Sequence, residues 1–117
     1  MATRCAKRFL DSATTTAGTV TTDPTVGWGR CNQLMARLEV GTCTGGSDAF
    51  DIKVQYKIGE TWVDLITMTQ ATAATTETKM IIRTASVGWT NQIRAVYVTA
   101  TGATATGVVF ELLGFVA

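Results

Sequence analysis

Histidine is absent from the 117 residues. That removes the Ser-His-Asp triad, the imidazole metal ligand and the commonest proton shuttle. A nucleophile would have to find its base among Lys, Asp and Glu. The cysteines are Cys5, Cys31 and Cys43. Cys5 lies near Arg4, Lys7 and Arg8, a setting that favours a reactive thiol; an exposed bystander is the plainer alternative. The carboxylates are scattered: Asp48 and Asp51, Glu60 and Asp64, and the separate Glu39, Glu77 and Glu111. No pattern frames two of them as a glycosidase-type acid and base. Asp48 and Asp51 beside Gly45 and Gly46 are oxygen donors for Ca²⁺, yet no loop of alternating oxygen ligands surrounds them. No glycine-rich phosphate loop ending in Lys-Ser/Thr occurs. The expectation is a protein with no catalytic residues, no metal and no cofactor, and hence not an enzyme.

Residues that bind without reacting are better represented. Arg4, Lys7 and Arg8 form the one local concentration of charge. It is either a solvated terminus or an arm that docks on an acidic neighbour. Three charges without interleaved aromatics are poor support for nucleic acid. The whole chain agrees, since ten Lys+Arg against nine Asp+Glu leave a net charge of +1. Such a balance gives no general attraction to nucleic acid or an anionic membrane. Trp28, Trp62 and Trp89 divide between core packing, exposed anchors for a partner, and platforms for a sugar.

These groups need a scaffold, and the sequence points to strands. Threonine occurs 23 times, and its β-branched side chain suits extended backbone. Residues 50–58 alternate without a break: Phe50, Ile52, Val54, Tyr56 and Ile58 against Asp51, Lys53, Gln55 and Lys57. Gly59-Glu60 then predicts a two-residue type II′ hairpin. Its register sets Lys57 opposite Trp62, Gln55 opposite Asp64 and Lys53 opposite Ile66. Trp62 is thereby expected on the outer face, within cation–π reach of Lys57.

Further strands are expected at 32–40, 77–84, 91–99 and 107–117, with shorter ones near 7–10 and 19–22. In 32–40, Leu34, Ala36, Leu38 and Val40 share a face. In 77–84, Met80 and Ile82 are expected inward and Ile81 and Arg83 outward. Residues 107–117 are apolar on both faces, so this strand is either central or covered by another subunit. Segments 12–18, 41–47, 69–78 and 100–107 read as linkers rich in Gly, Ala, Ser and Thr. An echo links Val26-Gly27-Trp28 with Val87-Gly88-Trp89, each leading into a strand. The expected fold is all-β, a two-sheet, jelly-roll-like sandwich of about eight strands. Residues 1–12 are expected as an N-terminal arm and 13–117 as one domain.

An odd cysteine count argues against a closed disulfide framework, although Cys31 and Cys43 remain an optional pair. No apolar h-region follows the basic start, and no apolar run approaches the length of a membrane helix. The chain is expected to be made in a reducing cytoplasm.

Several stretches have a familiar texture. Val54-Gln55-Tyr56-Lys57, a tight turn and Trp62-Val63-Asp64-Leu65 are followed by Ile93-Arg94-Ala95. Thr101-Gly102-Ala103-Thr104-Ala105-Thr106 and a terminal apolar strand come next. Together they resemble small virion proteins of tailed bacteriophages, most closely the capsid decoration or cement proteins with a β-sandwich or jelly-roll fold. The resemblance extends over about half the chain. It implies a homotrimer on the capsid surface that clamps neighbouring copies of the major capsid protein, with the N-terminal arm helping to grip the shell. No residue-level motif is carried over. A neck, tail or fibre-tip subunit, and a small carbohydrate-binding module using Trp28, Trp62 or Trp89, are the alternatives.

Overall fold

A computed structural model describes the backbone of residues 2–45 and 49–116 and the side chains of 5–45 and 49–116. Among these the chain is all-β apart from one 3-10 turn at Trp28–Arg30. The strands are β1 (Ala2–Thr21), β2 (Gln33–Val40), β3 (Thr42–Thr44), β4 (Phe50–Ile58), β5 (Thr61–Thr67), β6 (Thr75–Ile82) and β7 (Ile93–Val116). They form one seven-stranded antiparallel sheet of order β5-β4-β7-β2-β6, with β1 and β3 also paired to β7.

β7 organises the molecule. Along one edge it pairs in turn with β4, β3 and β2. β1 runs along the opposite edge, from Ala2 beside Val116 to Thr21 beside Val96. The inward residues of β7 are Ile93, Ala95, Thr99, Ala103 and Ala105, then Val108, Phe110 and Leu112. The alternation changes phase at Gly107, whose φ of 60° lies in the left-handed region open to glycine. One extra residue there keeps both halves of a bent strand facing the core. Segments 12–18 and 100–107, expected as linkers, are therefore strand. Pairing between β1 and β7 satisfies their backbone, and Thr and Ala accept extended geometry.

β2 behaves as its alternation predicts, with Leu34, Ala36, Leu38 and Val40 buried. The β4–β5 hairpin sets Lys57 opposite Trp62 and Gln55 opposite Asp64, as expected. Leu65 is then an extra residue, so Val54 meets Ile66 and Lys53 meets Thr67 instead of Ile66.

β6 is turned over relative to expectation. Met80 and Ile82 are 55% and 57% exposed, while Ile81 packs on the core. Alternation defines two faces without saying which is inward. The partner decides: Ile81 stands opposite the fully buried Leu34, and Met80 opposite Met35.

The sheet curls until it is nearly closed, bringing its outer strands β5 and β6 together. Side chains bridge the seam. Glu77 accepts hydrogen bonds from the Thr69 backbone N–H (2.8 Å) and hydroxyl (2.6 Å). Lys79 Nζ donates to the Thr67 carbonyl at 2.7 Å. The enclosed core holds Trp28, Phe50, Phe110, Leu34 and Leu38 among its largest members.

Candidate functional site

The outward face of β6, β2, β7 and β1 carries an apolar surface. Pairing lays its residues in transverse rows. Met80, Met35, Leu113 and Ala6 form one row, and Ile82, Gln33 and Phe115 form the next. Met80 and Ile82 are exposed, and Met35, Leu113 and Phe115 are half-buried. Gln33 Nε2 donates to Met80 Sδ at 2.8 Å and helps hold that side chain across the strand. Methionine adapts its shape to an opposing surface, and contiguous exposed apolar side chains are characteristic of docking surfaces.

A charged row borders this patch: Thr78, Arg37, Glu111 and Arg8. Its charges are largely spent on one another. Arg8 meets Glu111 and Asp11, each at 3.2 Å, and Arg37 meets Glu39 at 3.0 Å. Hydrogen bonding to Glu111, reinforced by both carboxylates, makes the Arg8 guanidinium still harder to deprotonate. Lys7 stands opposite Leu112 and so leaves by the other face of β1. The basic stretch seen in the sequence is thus divided in the fold. The side chain of Arg4 lies outside the described residues. Residues 2–12 form the first half of β1, with Cys5, Phe9 and Leu10 packed against the core.

The tryptophans separate clearly. Trp28 and Trp89 are 1% and 5% exposed. They are core residues here and present no ring to a partner. Their echoing segments meet: Trp89 Nε1 donates to the Trp28 carbonyl at 3.0 Å, and Asn91 Oδ1 accepts from Gly27 N–H at 2.9 Å. Arg83, expected outward, reaches back to the Trp89 and Cys31 carbonyls at 2.9 and 3.1 Å and stacks on the Trp89 ring. Trp62 lies on the outer face as predicted. Lys57 is 5.9 Å from its ring centroid and Arg94 only 4.1 Å. Arg94 also donates to Gln55, which donates to Asp64 (both 2.9 Å), giving a polar row across three strands. Hydrogen bonds from Gln55 and Lys53 hold the Asp64 carboxyl below its ordinary range.

The reactive groups remain dispersed. Asp51 accepts from Gln70 at 3.1 Å, while Asp48, Gly46 and Ser47 lie outside the described residues. Among the described residues no group of three metal-ligating side chains converges. Cys43 stands opposite Ala105, whereas Cys31 packs over Gly114. Nine steps along β7, roughly 30 Å of extended strand, separate those positions. The optional Cys31–Cys43 pair is therefore excluded by reach.

The apolar surface was half-visible in the sequence, in the second apolar phase of β7. Its other half needed Met35, a methionine in the polar phase of β2, to be recognised as outward. It also needed the opposite orientation of β6. No family model matches this chain, and neither a curated protein nor a solved structure matches it.

Proposed function

We propose that the protein is a non-enzymatic virion component, a capsid decoration protein that binds the outside of a phage head and braces adjoining copies of the major capsid protein. The observation that carries this proposal is the apolar face of Met35, Met80, Ile82, Leu113 and Phe115 beside a row of internally paired charges. Such a face binds by excluding water from neutral surface, with little long-range steering. The resemblance noted in the sequence supplies the type of partner and the homotrimeric arrangement. In this proposal the nearly closed sheet functions as a two-layer, jelly-roll-like sandwich. β1 and β7 pass from one layer to the other, supported by the pairing of β4 and β2 with opposite halves of β7. Each contact is weak, and symmetry on the shell multiplies it.

The test combines native mass in reducing buffer with co-sedimentation on phage heads stripped of decoration protein. A trimer that co-sediments is expected. Met80→Lys with Leu113→Lys should lower shell affinity at least tenfold while leaving the strand circular dichroism unchanged. A six- or twelvefold ring would direct attention to the neck or tail. Undiminished shell binding by the double variant would remove this face from the proposal.

A further inference from the structure

We propose that Cys5 and Cys31 form an intramolecular disulfide site that fastens the start of β1 to the Trp28–Arg30 turn. Their sulfurs are 3.9 Å apart, although the residues are 26 positions apart in sequence. Two features built into the fold bring them together. Cys5 stands opposite Gly114 in the β1–β7 ladder. A Cβ at Gly114 would lie 2.6 Å from Cys31 Sγ, so the missing side chain makes the space that Cys31 occupies. Asn32 N–H bonds to the Phe115 carbonyl at 3.0 Å and fixes the Cys31 backbone beside that gap. Cys5 Sγ donates to the Gly27 carbonyl at 3.1 Å, which holds its sulfur toward the turn.

The two thiols differ in access. Cys5 is half-buried at the edge strand, and Cys31 is 1% exposed. A small disulfide oxidant such as oxidised glutathione can therefore reach Cys5 first. Cys5 sulfur attacks one sulfur of the oxidant, forming a mixed disulfide and releasing one glutathione, which takes up the Cys5 proton. Cys31 sulfur then attacks Cys5 sulfur and releases the second glutathione, which takes up the Cys31 proton. Two thiols are oxidised by two electrons, and one glutathione disulfide is reduced to two thiols. Only a small closing movement of the sulfurs is required, since a bonded pair lies near 2 Å. The site stands independently of the capsid proposal.

The experiment uses the reduced full-length protein, incubated with oxidised glutathione, quenched by denaturation with a maleimide and mapped without reduction. The expected result is the loss of two of three labelling sites, a peptide joining Cys5 to Cys31, and label retained on Cys43. The melting temperature should rise by several degrees and return on reduction, because the bond closes a loop in the unfolded chain. Cys43→Ser should behave like the parent. Retention of all three labels would overturn the proposal. So would a lasting glutathione adduct on Cys5, or a linkage through Cys43.

Discussion

Glu77 ties β6 to the segment that follows β5, and among the described residues those two strands share no backbone ladder. Its carboxylate accepts both the N–H and the hydroxyl of Thr69, and chiefly for that reason its pKa lies below the ordinary 4.5. A group whose folded pKa is lowered adds stability above its unfolded pKa and loses it as pH falls through the folded value. The β5–β6 seam should therefore weaken in acid. Between roughly pH 5 and pH 3 the melting temperature of Glu77→Gln is expected to fall less steeply than that of the parent, because the amide no longer titrates. Parallel slopes in thermal melts across that range would show that the seam does not depend on this carboxylate. Residues are also where local sequence was most legible. Lys57 and Trp62 could be matched because four residues of hairpin connect them. Arg94, which lies closer to the same ring, comes from a strand some thirty positions later, and no local pattern signals it.

At the level of elements, β1 was the least visible strand and is among the most consequential. Its ladder with β7 has five register shifts and a left-handed Ser12, φ 50°. Each irregularity breaks the period-two pattern by which strands are recognised. The same bulges discourage another chain from adding to its open edge. Phe9 packs toward Phe110 with ring centroids 6.1 Å apart, and Leu10 also covers the core. Removing residues 1–12 should therefore do more than detach an arm. Exposing core beneath these two side chains alone costs about 3 kcal/mol or more, and the truncated chain is expected to show a much lower urea midpoint or to aggregate. A truncated protein with the parental midpoint would show that this half of β1 is dispensable. β2, β4 and the hairpin were legible because each buries one clean face. β6 was legible as a strand only, because both of its faces carry apolar residues.

For the molecule as a whole, all-β character followed from threonine content and alternation, whereas the single curled sheet did not. The union of 93–99 with 107–116 through 100–107 depends on pairing with β1, the other extremity of the sequence. Such pairing carries no local signature and makes folding depend on long-range closure. It also gives the molecule a direction in which it is mechanically weak. Ala2 lies beside Val116, so tension applied to these two residues peels β1 from β7 one pair after another, as a zipper opens. Tension between Ala2 and Ile93 instead runs along the ladder and loads many hydrogen bonds in shear. Single-molecule pulling should find a distinctly lower rupture force for the first geometry. A subunit anchored through its own β1–β7 end would yield gradually under strain, while one anchored across the length of β7 would hold and then break at once.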